Sequence, residues 1–218
     1  MNVNIKTIFK FFILAITSGL LLFPAFSYAE NKVGITKDLK SLDITYGGKT
    51  VKIERIQDSK HKLTNGFAKT SRACPPFCVQ PIEIHKGVKT VGEVELLSFL
   101  DNEVKNSKGL LIDARLPDWF EKGTIPGSIN IPFSILDGGL ESVHAKRILK
   151  LLGATVTDNK WDFKNAQELL LFCNGLWCGQ SPRAIGDLLD MGYPADKLFW
   201  YRGGMQSWQL LGLTVVTP

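Results

Sequence analysis

Apolar positions along the chain change rhythm three times. From Phe11 to about Phe26 they are nearly continuous. Leu42, Ile44 and Tyr46 then alternate with polar residues, and Val51, Ile53 and Ile56 follow after Gly47-Gly48. A period of two on both sides of a glycine pair predicts a β-hairpin. Two strands alone are marginally stable, so the hairpin is expected to pack on a larger body. Residues 57–72 are polar and predict a surface loop. From about Lys89 strand and helix patterns alternate. Val94, Leu96, Leu97, Phe99 and Leu100 fit a short amphipathic helix, and Gly109 to Asp113 is an apolar run ending in an acid. Leu136 to Leu152 holds a helix with Val143, Ile148, Leu149 and Leu152 as its stripe. Leu169 to Phe172 predicts a second buried strand and Leu198 to Tyr201 a third, with a helix over Pro182 to Met191 between them. Ser181 is placed as its N-cap, Pro182 at its first position and Gly192 at its stop. Gly203-Gly204 opens a last short helix with Met205 and Trp208. Such alternation predicts an α/β fold with a central, mostly parallel sheet flanked by helices, plus the small N-terminal hairpin.

The first apolar run changes the reading of compartment. Lys6 and Lys10 precede it, and Ser27-Tyr28-Ala29 offers small residues at a cleavage site. Residues 1–29 therefore read as a secretory signal peptide. An uncleaved anchor is the alternative, which would leave the chain on the inner membrane facing the periplasm. The run is marginal for a span and contains Pro24. Without those residues, which hold two Lys and no acid, the 26 basic residues become 24 against 21 acidic. That balance argues against a nucleic-acid partner. His61, His85 and His144 show no ligand spacing, so neither a metal nor a cofactor is expected.

Four cysteines form two close pairs, Cys74/Cys78 and Cys173/Cys178. Four are too few to build a fold of this length from disulfides, so the pairs serve local purposes. For Cys74-Pro75-Pro76-Phe77-Cys78 a local disulfide is the first reading. A redox relay, a metal or a partner contact are the others. Pro75, Pro76 and Phe77 are stiff and conspicuous enough for docking.

The stretch Cys173-Asn174-Gly175-Leu176-Trp177-Cys178-Gly179-Gln180 leads from a buried strand to a helix start at Ser181-Pro182. Amides and the helix dipole there favour an anion, so a cysteine in that place ionises readily and becomes a nucleophile. Phosphatase chemistry requires an arginine six residues after the cysteine. Gly179 and Ala184 stand there instead, and Arg183 misses the position by one.

Three ordered stretches over residues 88–216, roughly the last 60% of the chain, resemble the rhodanese family. The first is Leu111-Ile112-Asp113-Ala114-Arg115 followed by Trp119 to Pro132, with Thr124 where the family's box usually has histidine. The second is the strand–Cys173–loop–helix unit. The third is Tyr201-Arg202-Gly203-Gly204-Met205-Gln206-Ser207-Trp208. With the signal peptide (1–29) set aside, the chain divides into an N-terminal extension (30–87) and a rhodanese-like domain (88–218). The resemblance implies a sulfurtransferase that takes sulfane sulfur, from thiosulfate for example, onto a cysteine as a persulfide. The sulfur then passes to a thiol, protein or other nucleophilic acceptor.

Cys173 matches the family's nucleophile at the strand end. Cys178 matches better by spacing to the helix, and stands as alternative nucleophile or resolving thiol. Asn174, Gly175, Leu176, Trp177, Gly179, Gln180, Ser181 and Arg183 form the expected substrate loop. For Arg183 a solvent-facing role, and for Trp177 core packing, remain open. Asp113 and Arg115 read as structural ties and Trp208 as core. A non-catalytic binding module and a thiol–disulfide redox protein using Cys173/Cys178 are the other readings.

Overall fold

The computed structural model describes residues 32–218. The predicted signal segment lies outside them. Among the described residues no helix is long and apolar enough to cross a membrane.

The predicted hairpin is present. Strand β1 (Ser41–Tyr46) pairs antiparallel with β2 (Lys49–Glu54), and Gly47 and Gly48 both take positive φ in the turn. That backbone is what a two-residue hairpin needs and what glycine adopts without steric cost. The second strand stops at Glu54, so Ile56, expected within it, lies beyond the pairing and is exposed. Leu42, Ile44 and Ile53 are buried against Leu96, Leu100 and Trp208. Burying such side chains contributes roughly 1.5–3 kcal/mol each, which an isolated hairpin lacks. The chain end reinforces this packing, because Ile56 N donates to Gly212 O at 2.7 Å and Thr214 N to Glu54 O at 3.1 Å.

The main body is a five-stranded, all-parallel sheet in the order β3-β9-β8-β4-β5. Its strands are β3 (Lys89–Val91), β4 (Gly109–Asp113), β5 (Ser128–Asn130), β8 (Glu168–Phe172) and β9 (Leu198–Tyr201). The three apolar runs became its centre. Edge strands β3 and β5 are three residues each, too short to show a period, and exist because their longer neighbours offer unpaired backbone groups. A small hairpin of β6 (Thr155–Thr157) and β7 (Lys160–Asp162), with positive φ at Asp158 and Asn159, is also not foreseen by the apolar pattern.

Alternation along β8 sends Leu169 and Leu171 to one face and Leu170 and Phe172 to the other. The first face is covered by α3 (Val143–Leu151) and α4 (Gln180–Asp190), the second by α1 (Glu93–Phe99), α5 (Gly204–Leu210) and the hairpin. A short helix α2 (Pro117–Phe120) follows β4. Helix α1 starts where Glu95 Oε2 accepts from Gly92 N at 3.1 Å, and it runs on into a π-turn over Leu100–Val104. Val94 and Val143, expected on buried stripes, are both solvent-exposed in the first turns of their helices. Helix α4 buries Ser181, Ala184, Ile185 and Leu188, the spacing of one helical face.

Candidate active site

The site lies where β8 ends and α4 begins, at the carboxyl edge of the parallel sheet. Residues 173–179 form the connection. Helix α4 starts at Gln180 with Gly179 as N-cap, not at Ser181-Pro182 as the sequence suggested. The reason is local chemistry. The Ser181 hydroxyl is not capping an amide, because it is committed elsewhere. It donates to Cys173 Sγ at 3.1 Å and accepts from Trp200 Nε1 at 3.1 Å. The stop at Gly192, with positive φ, is as expected.

Cys173 and Cys178 are both free thiols and both buried. Burial pushes the Cys173 thiol up. The Cys178 thiol, the Ser181 hydroxyl, and the backbone amides of Ser181 and Gly175 outweigh it, and bring Cys173 down to about 7. As a thiol, Cys173 lies 3.3 Å from the Cys178 carbonyl and can donate to it. As a thiolate it keeps the other donors. Cys178 moves the opposite way. Its bond to the Cys173 sulfur, then burial, then the Cys173 charge all hold it protonated. A buried thiolate held by hydrogen-bond donors and a neighbouring thiol kept as a donor are thus two halves of one arrangement.

The loop carbonyls are satisfied from α5. Met205 N donates to Cys173 O at 3.0 Å, and Gln206 N to Asn174 O at 2.9 Å. Trp177 Nε1 donates to Gln206 Oε1 at 2.6 Å. Gly204 makes the approach possible. Its φ is +55°, and a Cβ there would lie 2.6 Å from Gly175 N. Gly204 in the terminal box therefore serves close backbone contact with the cysteine loop.

Asp113 and Arg115 fasten the loop from below. Their side chains are buried and paired, with Arg115 Nη2 2.5 Å from Asp113 Oδ2. Arg115 also donates to Gly123 O at 2.7 Å and, at 3.4 Å, to Asn174 Oδ1. Thr124 Oγ1 donates to Asp113 Oδ2 at 2.7 Å, which gives the residue in the histidine position its own use.

Above the loop lies a cleft of about 420 Å³. Phe77, Trp119, Phe133 and Trp177 supply its aromatic walls, Asn174, Cys178, Gly179 and Gln180 its floor, and Arg183 one rim. Cys173 is buried and does not line it. Leu176 points out to solvent. Arg183 is half-exposed and paired with Asp137 at 2.8 Å.

The cleft has a wall that sequence reasoning did not place. Cys74 and Cys78 meet at disulfide-bonding distance and set Pro76 and Phe77 into the cleft. Phe77 packs edge-on against Trp177 with ring centroids 5.2 Å apart, and the Arg72 guanidinium sits 4.0 Å from the Trp177 ring centroid. Gln80 N donates to Leu176 O at 2.9 Å, and Arg202 Nη2 holds Gln80 O at 2.7 Å. Pro76 and Phe77 line the cleft beside the loop, and both keep exposed surface. Trp119 and Phe133 carried no signal, since nothing local marks an aromatic as a cleft wall.

The model of the rhodanese-like domain matches residues 96–211. The chain belongs to the rhodanese-like domain family. A curated relative, an HTH-type transcriptional regulator of Mycobacterium tuberculosis, is 30% identical over 105 residues, 48% of this chain and 36% of the regulator. This chain thus spans little more than a third of that relative. Similar solved structures include a thiosulfate sulfurtransferase from Pseudomonas aeruginosa, at 22% identity over 62% of this chain and 21% of that one, with TM-score 0.41. A human single-domain sulfurtransferase is 23% identical over 56% of this chain and 96% of its own, with TM-score 0.39.

In this rhodanese-like domain the Ser181 hydroxyl is the side-chain donor on Cys173 whose direction is imposed from outside the loop, by Trp200. Ser181→Ala is expected to raise the Cys173 pKa and slow its alkylation at pH 7 by about fivefold, as loss of one hydrogen bond of about 1–1.5 kcal/mol requires of a thiol half ionised at that pH. Iodoacetamide trapping against pH measures both. An unchanged profile would show that the Cys178 thiol and the backbone amides hold the thiolate without Ser181.

Proposed function

We propose that this chain is a sulfurtransferase of an exported, periplasmic compartment. It takes sulfane sulfur onto Cys173 and passes the sulfur to a thiol or another nucleophile. One observation carries the reading: Cys173 stands at the β8–α4 junction with four hydrogen-bond donors on its sulfur, which bring its pKa down to about 7. A thiolate attacks the outer sulfur of a donor such as thiosulfate, forms a persulfide and releases sulfite. The same donors then hold the persulfide anion. The aromatic cleft suits the approach of an organic thiol better than that of a free inorganic anion, because Arg183 is already paired. The apolar run before Ala29 and the Cys74/Cys78 pairing both fit an oxidising compartment.

Sulfite release and intact mass of the chain lacking residues 1–29, before and after thiosulfate, test this. One sulfite per chain is expected as one sulfur atom passes to Cys173, and none after Cys173→Ser. Uptake is expected to rise through pH 7 and level off above it. The thiolate reacts and the thiol does not, so each unit below costs roughly tenfold in thiolate fraction. Sulfite release that survives Cys173→Ser, or none from the native sequence, refutes the assignment.

A further inference from the structure

Cys178 is left over by a one-cysteine persulfide cycle, yet its own carbonyl lies 3.3 Å from the nucleophile's sulfur. It shares the seven-residue connection between β8 and α4 with Cys173, and both sulfurs are free. It is also the sulfur that reaches the cleft.

We infer that Cys178 resolves the Cys173 persulfide within the chain, releasing hydrosulfide into the cleft and leaving a Cys173–Cys178 disulfide. This deepens the sulfurtransferase reading and rests on it. The Cys178 sulfur attacks Cys173 Sγ. The bond from Cys173 Sγ to the added sulfur breaks, and the Cys173–Cys178 bond forms. The added sulfur leaves with the electron pair of the broken bond and takes the proton that Cys178 gives up, so it departs as hydrosulfide. The sulfane sulfur is reduced and the two cysteines are oxidised. A dithiol then resets the pair by attacking the disulfide and becoming a disulfide itself.

The surroundings fit each step. Cys178 keeps its proton until needed, and Gln180 Oε1, 3.8 Å from its sulfur, can accept that proton in a hydrogen bond. Amides of Asn174 and Gln180 point at the Cys178 sulfur and support it as charge develops during attack. For the reset, the dithiol meets the cleft-facing Cys178 sulfur and expels Cys173. Thiol–disulfide exchange is faster when the leaving thiol has the lower pKa, and Cys173 is the sulfur held as thiolate. The aromatic walls of the cleft further suit a protein or organic dithiol over a small anion.

The experiment uses reduced protein freed of reductant and mixed with equimolar thiosulfate, without added thiol. Hydrosulfide, sulfite and intact mass are followed, and trapped peptides are mapped. The native sequence is expected to release hydrosulfide in step with sulfite and to end with Cys173 linked to Cys178. Cys178→Ser, with Cys178→Ala beside it, is expected to halt at the persulfide and release hydrosulfide only when dithiothreitol is added. If the native protein holds its added sulfur as long as Cys178→Ser does, the resolving role is refuted and the sulfurtransferase reading stands. If neither protein takes up sulfur, both fall. The native protein's peptide map decides the question even where the variants fail to fold.

Discussion

Gly204→Ala is expected to abolish sulfur uptake and to destabilise the chain by about 2–5 kcal/mol, from left-handed strain of about 1–2 and overpacking of about 1–3. Residue 204 holds φ +55° at the start of α5, where it faces the backbone of the cysteine loop. A methyl group there would sit 2.6 Å from Gly175 N and 2.9 Å from the Asn174 carbonyl carbon, and it also meets the Cys173 carbonyl. All three are backbone atoms, so no side chain can rotate aside. Either α5 withdraws, breaking the bonds from Met205 N and Gln206 N to the loop carbonyls, or the loop shifts and Cys173 leaves its donors. Both routes remove the lowered pKa. Thermal unfolding together with sulfite release from thiosulfate measures the two effects. Full uptake at native stability would mean that the contact between α5 and the loop is dispensable.

A second large effect is expected from Asp113→Ala, through stability rather than chemistry. The substitution leaves the Arg115 guanidinium buried without its carboxylate. Breaking one side of a buried pair costs about 3–5 kcal/mol. Asp113 accepts from Arg115 N, Nε and Nη2 and from Thr124 Oγ1, so four bonds go together, and only Nη2 and Thr124 keep another contact, to Gly123 O and Ser128 Oγ. For a chain of this size the midpoint of unfolding should fall on the order of 10 °C. The double variant Asp113→Ala with Arg115→Met removes the stranded charge and should recover part of the loss. Denaturant unfolding of both variants checks the pair. A single-variant loss below about 1 kcal/mol would contradict a buried charge at Arg115.

The two large effects were differently visible in the residues. Asp113 closing an apolar run, with Arg115 two residues on, marks a strand end tied to its surroundings. Asp113 pairs with Thr124, 11 positions away, and Arg115 with Asn174, 59 positions away, which no local period encodes. Gly203-Gly204 reads as a helix start, and only the fold reveals that α5 rests on the cysteine loop. Ser181 looked like a cap because serine before Pro182 usually is one. It was drawn into another task by Trp200, a neighbour nineteen residues away whose indole N–H needed an acceptor.

What the sequence determined by itself is whatever depends on near neighbours. Apolar runs of four or five residues made β4, β8 and β9, Gly47-Gly48 made the hairpin turn, and the order of three motifs announced the rhodanese-like domain. Tertiary structure decided the rest. Edge strands of three residues, the CPPFC wall over the cleft, and the opposite protonation of Cys173 and Cys178 all arise from groups brought together across the chain. Two thiols five residues apart have the same chemistry in an extended chain. Hydrogen bonds from the Cys178 thiol, the Ser181 hydroxyl and the amides of Ser181 and Gly175 overcome burial and lower the Cys173 pKa, while the bond to Cys173 and burial keep Cys178 protonated. Electrostatics in a water-poor site acts over a few ångströms of space, and the fold alone sets those distances.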